Sequence, residues 1–244
     1  MKKLALLCAA MLAMAPIGAA ADNETAKGET SEMTYQHPFQ DDEESTKHWT
    51  VTSSGFYLGL GVHHNWKEIN NSFEIGMLNV AAVNYRSLHG QELSLGVGIH
   101  HRSYSIKRPG MLERGLDNSI VTLGTYPSDN IDVIKKRSSN LNLWAIQFPL
   151  MFTQRIVKKL DITVAGIMNW NTGARVDNHY EIDKVEYDTR YKGLKYNKIS
   201  FDLMAALSWN HTGIYCRYSP GKFFKDSYGP EIKQTWTLGL TMGM

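Results

Sequence analysis

Between residues 199 and 210 the chain reads ISFDLMAALSWN. Ile199, Phe201, Leu203, Leu207 and Trp209 fall on one side of an extended chain, with Ser200, Asp202, Ser208 and Asn210 on the other. A period of two marks a strand whose two faces meet different surroundings. A tight turn at Asn210 to Gly213 leads into TGIYCRYSPGKFF (212–224), where Tyr215 and Arg217 share the polar side. Which of the two faces points inward decides the fold.

The same alternation recurs in both directions. SGFYLGLGVHH (54–64) sets Phe56, Leu58, Leu60 and Val62 against Tyr57, Gly59, Gly61 and His63. ELSLGVGIHH (92–101) sets Leu93, Leu95, Val97 and Ile99 against Ser94, Gly96, Gly98 and His100. NLWAIQFPLMF (142–152) and LDITVAGIMNW (160–170) alternate too, and QTWTLGLTMGM (234–244) places Trp236, Leu238, Leu240 and Met242 opposite Thr237, Gly239, Thr241 and Gly243. SFEIGMLNVAAVNY (72–85) is less regular: Glu74 interrupts one phase and Asn79 the other, so a bulge is expected there. About eight strands result, each near the ~9–11 residues that cross a bilayer at a tilt.

The links between them alternate in length. Ser87–Gln91, Ile156–Lys159 and Asn210–Gly213 are short, whereas Asn65–Asn71, Ser103–Arg137, Thr172–Asn197 and Gly221–Pro230 are longer, the second and third by far. A transmembrane barrel has tight turns on its inner side and free loops outside. A soluble barrel fills its inside with apolar side chains. Here the non-apolar face carries Gly, Ser, Tyr, His, Arg and Asp, which suit a narrow polar lumen. Trp144, Trp170, Trp209 and Trp236 lie near strand ends, where aromatic girdles meet the lipid interface. The expected fold is all-β, an eight-stranded antiparallel up-and-down transmembrane β-barrel over 49–244. Its last strand should pair with both Tyr215–Phe224 and Phe56–Val62.

The N-terminus reads as an export signal over 1–21: Lys2 and Lys3, an apolar run from Leu4 to Ile17, then Ala19-Ala20-Ala21. Residues 22–48 are polar and charged, without usable periodicity, and read as a disordered tether. A formal net charge of +2 over 244 residues gives no reason to expect a nucleic-acid partner. Export, with no later apolar run long enough for a membrane helix, leaves two fates, a soluble protein outside the inner membrane or a β-barrel within the outer one, and the strand faces and link lengths favour the cell outer membrane.

Candidate site residues follow from the faces. Arg217 points inward beside Tyr215, with Asp202 and Glu74 as possible carboxylate partners, because a buried arginine needs one. Small Gly59, Gly61, Gly96 and Gly98 leave room for Tyr57, Tyr215 or Arg217 to reach across the lumen. His63 and His100 share the lumen face and could hold a divalent metal at the barrel mouth, or serve only as polar mouth residues. No spacing specifies a nucleophile and base: Ser103 near His101, and His211-Thr212, are weak candidates. No catalytic role and no cofactor is expected.

The segments LWAIQFPLMF and GIYCRYSPGKFF and the glycine-alternating last strand resemble the small outer-membrane β-barrel domain proteins, sometimes called porin-family, of Gram-negative bacteria. The resemblance spans roughly Trp49 to Met244. Family members usually end in an aromatic residue, whereas this chain ends in Met244. The resemblance implies a single barrel, labelled by architecture more often than by activity. It also implies that the last strand carries the sorting signal for the outer-membrane assembly machinery. The expected partners are outer-membrane lipid, that machinery, and an unknown ligand at the external loops of a monomer. Passage of small solutes and modification of envelope lipids are the alternative roles.

Overall fold

The computed structural model describes residues 33–35, 48–63, 69–87, 90–107, 110–115, 121–125, 134–225 and 228–243. The expected leader lies outside them, as does most of 22–48. Within that segment Met33–Tyr35 forms a short strand parallel to Trp49–Val51. The barrel strands are β1 (His48–His63), β2 (Ile69–Arg86), β3 (Gln91–Ile106), β4 (Ile134–Val157), β5 (Leu160–Ile182), β6 (Ile199–Trp209), β7 (Thr212–Ser219) and β8 (Thr235–Met242). Each pairs antiparallel with its sequence neighbour, and β8 pairs with β1, which closes an eight-stranded up-and-down barrel.

Closure runs through Thr235–Met242 against His63–Phe56, residue for residue. On its other side β8 meets Thr212–Ser219. The partner therefore stops short of the expected Phe224, because Pro220 has no N–H to continue the ladder. The Asn210-His211 turn holds both residues at positive φ, 51° and 66°, a geometry that matches the twist of a two-residue hairpin. The irregularity expected in β2 is a register shift against β3 between Met77 and Ala81. There Leu78 and Asn79 are consecutive and both fully buried.

Apolar residues face outward: Leu60, Leu95 and Phe201 are each more than 60% exposed. Trp144, Trp170 and Trp236 lie toward the long-link end, where Trp236 stacks on Tyr218 with ring centroids 4.3 Å apart. Trp209 and Trp49 lie toward the short-turn end, Trp49 against Tyr85 at 5.0 Å. An apolar belt between aromatic rows is the surface that lipid requires.

Two long links depart from plain loops. β4 and β5 continue past the barrel wall, and β5 turns at Asp183-Lys184 into a further strand, Val185–Tyr191, which pairs with Val176–Ile182. At ~3.3 Å per residue, the stretch from Trp170 to Ile182 is roughly 40 Å long. Gly110–Arg114 and Val121–Thr125 form a separate hairpin. A three-part clasp holds it: Leu112 N–H donates to Ser139 Oγ at 3.2 Å, Ser139 donates to Asn178 Oδ1 at 2.6 Å, and Asn178 Nδ2 donates to the Leu112 carbonyl at 2.8 Å. Leu112 then joins Tyr104, Ile106, Leu141, Val176, Leu194, Tyr196, Phe223, Phe224 and Ile232 in one buried apolar cluster at the long-link end.

Leu203 lies between the Trp170 and Trp209 rows and is 46% exposed. Leu203→Arg should cost about 2–4 kcal/mol, as for a cation near a bilayer midplane, whereas Leu203→Ala should still assemble. Urea titration of vesicle-inserted protein, read by heat-dependent gel mobility, measures the difference. Equal stability of the two variants would mean that this face does not meet lipid.

Candidate functional site: a neutralised charge network in the lumen

The middle of the lumen is built around two arginines on different strands. Arg217 on β7 is fully buried. Its Nε donates to Asp202 Oδ2 at 2.8 Å, Nη1 to the Tyr57 hydroxyl at 3.0 Å and Nη2 to Asn169 Oδ1 at 3.2 Å. Asn169 Nδ2 returns a bond to Asp202 Oδ2 at 2.8 Å. Arg102 on β3 faces Glu74 directly across the β2–β3 ladder, donating from Nε to Oε2 at 3.0 Å and from Nη1 to Ser219 Oγ at 3.0 Å. Tyr215 donates to the other Glu74 oxygen, Oε1, at 2.9 Å.

The two halves meet where the rings of Tyr57 and Tyr215 pack edge-on, with centroids 5.6 Å apart. The Tyr57 hydroxyl is hydrogen-bonded to His100 Nδ1 at 2.6 Å and donates to Gln147 Oε1 at 3.2 Å. Gln147 donates onward to the Met77 carbonyl at 2.8 Å, beside the β2 bulge. Two guanidinium groups and two carboxylates, all buried, thus cancel in formal charge. Charge-assisted bonds of this kind are strong where water is excluded.

Bare backbone makes room for the two tyrosine rings. Tyr215 starts on β7, and its ring passes over Gly239 on β8 and Gly59 on β1 before meeting Glu74 on β2. A Cβ at Gly239 would lie 2.6 Å from the ring's Cε1, and one at Gly59 would collide with the hydroxyl. Tyr57 crosses Gly76 in the same way, its Cζ 2.6 Å from where a Cβ would stand.

The structure therefore brings Tyr57, Glu74, Asp202, Tyr215 and Arg217 together in one connected set. It adds Arg102, Asn169, Gln147 and Ser219, which sequence reasoning did not name. Arg102 had a usable signal, since it shares the inward phase of Ser94 and His100 one strand away from Glu74. His100 and His63 do not come together at the mouth. The register sets His100 opposite Gly76, itself opposite Tyr57, and Tyr57 to His63 is roughly 20 Å along β1. His100 is a member of the network, and the His63 side chain lies outside the described residues. Among the described residues no group of three or more His, Cys, Asp or Glu is placed to hold a metal. His101 points outward and packs its ring on Trp144, with centroids 4.5 Å apart.

Above the network, toward the long-link end, lies a cavity of only about 30 Å³, bordered by Arg102, Asn171, Asp202, Ser219, Phe223 and Ile232. Tyr104, Leu143, Phe223 and Ile232 of the apolar cluster line it as well. Below the network, Leu78, Met151, Ile167 and Met204 form a second apolar layer. The lumen is filled along its length by layers of its own side chains.

No protein-family model matches the chain. No curated protein sequence matches it either. Among solved structures it is similar to the crystal structure of Ail, the attachment invasion locus protein of Yersinia pestis. The identity is 11%, the TM-score 0.29, and the match covers 80% of this chain and 96% of that one.

Asp202→Ala should cost about 3–5 kcal/mol, because it strands the Arg217 charge in the lumen. Pairing Asp202→Leu with Arg217→Met should recover much of that loss. Urea unfolding in detergent micelles compares the variants. A double variant as unstable as Asp202→Ala would show that the ion pair itself, and not the avoidance of a lone charge, stabilises the barrel.

Proposed function

We propose that the chain is an integral outer-membrane barrel with a structural or surface-interaction role through its external loops. The observation that carries this reading is the filled and capped lumen, combined with strands that run on beyond one end of the wall. Eight strands enclose a space just wide enough for side chains. In this chain the charge network, two apolar layers and the hairpin clasp occupy it, which leaves little room for a solute path. The outward apolar belt supports contact with outer-membrane lipid. An even strand number brings the two barrel termini to one side, the side of the short turns. That side is the periplasmic one in this reading, and the long links are external. The protein acts as a monomer, inserted by the outer-membrane assembly machinery, and the groups offered to a ligand are those of the external links. No catalytic step is assigned.

The three-stranded external sheet formed by β4, β5 and Val185–Tyr191 is the largest such element. Its outward face is tied by Asp177, whose carboxylate accepts from Arg190 Nε at 2.7 Å and from Asn142 Nδ2 at 2.7 Å. Partial burial alone would raise the Asp177 pKa. The bond from Arg190 and the positive charge of Arg175 outweigh it and hold the carboxyl below its usual 3.8. A depressed folded pKa means the contribution is complete above the usual value and is lost as pH falls through the folded one. Relative to the intrinsic exchange rate at each pH, protection of 185–191 should therefore fall below about pH 4, more than that of β6. Arg190→Ala should remove part of that pH dependence.

Two measurements test the functional reading. In planar bilayers the inserted protein should give no resolved single-channel steps, and steady conductance would favour solute passage instead. Trypsin added to intact cells should cut at the exposed Lys184 turn and spare Lys158-Lys159. The opposite pattern would invert the orientation.

A further inference from the structure

The segments 192–198, leading into β6, and 220–234, between β7 and β8, carry Lys192, Lys195, Lys198, Lys222, Lys225 and Lys233, against Asp226 and Glu231. Backbone bonds fasten the two links together: Asn197 N–H donates to the Phe223 carbonyl at 2.9 Å, and Lys225 N–H to the Lys195 carbonyl at 3.3 Å. Asn197 Nδ2 adds a bond to the Lys222 carbonyl at 2.8 Å. Glu231 is met by Lys233 at 2.8 Å and by Lys222 at 3.7 Å. Lys195, Lys198 and Lys225 form no ion pair among the described residues. Instead, Lys195 Nζ lies 4.2 Å from the Tyr228 ring centroid, and Lys198 Nζ lies 4.6 Å from that of Tyr196 while donating to its hydroxyl at 3.1 Å. An aromatic face positions an ammonium without neutralising it. All three are exposed, and two of them are held against aromatic rings.

One of them, Lys225, also borders a shaped space. A cleft of about 170 Å³ opens between Lys222, Phe224, Lys225, Gly229, Pro230, Glu231 and Ile232, and the Glu231 carboxylate on its wall is itself met by Lys233 and Lys222. Its place in the fold matters as much as its charge. Lys198 immediately precedes Ile199, which is 58% exposed on the apolar belt, and Ile199 is paired with the girdle residue Trp170. The Lys198 residue therefore sits at the upper margin of the apolar belt, where headgroups would lie.

We propose that this lysine rim and its cleft bind the phosphate groups of outer-leaflet glycolipid, holding a lipid headgroup against the barrel at the β6–β7 side. The chemistry is ammonium to phosphate ester, in which lysine acts as a compact point charge. A lipid is the source, because at Lys198 the rim is continuous with the apolar surface that would take its acyl chains. This proposal rests on the membrane reading given above.

The test uses the full-length protein reconstituted in phosphatidylcholine nanodiscs, titrated with fluorescent diphosphorylated lipid A. The triple variant Lys195→Ala/Lys198→Ala/Lys225→Ala should bind at least about tenfold more weakly than wild type. Wild-type binding itself should weaken as salt rises. Lys158→Ala/Lys159→Ala, at the opposite end of the barrel, should bind as wild type. Lys225→Glu alone repeats the test with one surface change, and heat-dependent gel mobility verifies that each variant is folded. Wild-type affinity in the triple variant, or equal binding of dephosphorylated lipid A, overturns the proposal. Competition by inorganic phosphate at concentrations comparable to the lipid overturns the lipid source. Wild-type protein that fails to enter the nanodisc overturns the membrane reading and this proposal with it. Protein that inserts but shows no preference for phosphate overturns this proposal alone.

Discussion

Backbone pairing without water is the constraint from which the rest of this structure follows. In hydrocarbon an unpaired N–H or C=O costs several kcal/mol, so a sheet there must close on itself. The ladder between Thr235–Met242 and Phe56–His63 makes that closure. Closing at eight strands leaves an interior barely wider than two facing side chains. Alternation then sends every second residue into that interior, and the chain has to build a core from residues that are not apolar.

The layered lumen is the solution. Charged groups brought inside must neutralise one another, and Arg217 with Asp202, and Arg102 with Glu74, do so through bonds shared with Tyr57 and Tyr215. Apolar layers on both sides keep water away and so strengthen those bonds. The layers also separate the network from the two openings, which makes the interior a structural core. The long rings reach their carboxylate and imidazole partners only because β1, β2 and β8 present glycine at the crossing points.

Much of this was legible in the sequence because it depends on phase. A period of two assigns faces without knowledge of register, so the belt, the inward Arg217 and its possible partners Asp202 and Glu74 could be read directly. The doubly interrupted phase around Glu74 and Asn79 marked the bulge. What depends on register could not be read. His63 and His100 share a face, yet which level each occupies is set by the ladders of β1 to β3. Gly76 and Gly239 are ordinary strand glycines until the rings of Tyr57 and Tyr215 are seen above them. The continued β4–β5 strands were hidden because beyond the bilayer both faces are polar, as in RVDNHYEI, and alternation fades. The cap was hidden because its members, from Leu112 to Ile232, come from links with no period at all.

The cap also explains how the long links can present fixed chemistry. In the β5–β6 link, Leu194 and Tyr196 are buried while Lys195 between them is exposed. In the β7–β8 link, Phe223 and Phe224 are buried and Lys222 and Lys225 on either side are exposed. Each exposed lysine is thus held by a buried neighbour that belongs to the apolar cluster over the lumen. A freely moving loop would lose conformational entropy on holding a ligand. Here that ordering is already done by folding, through burial of the anchors. The same residues that form the apolar cluster at the end of the lumen therefore fix the positions of the charged side chains beside them.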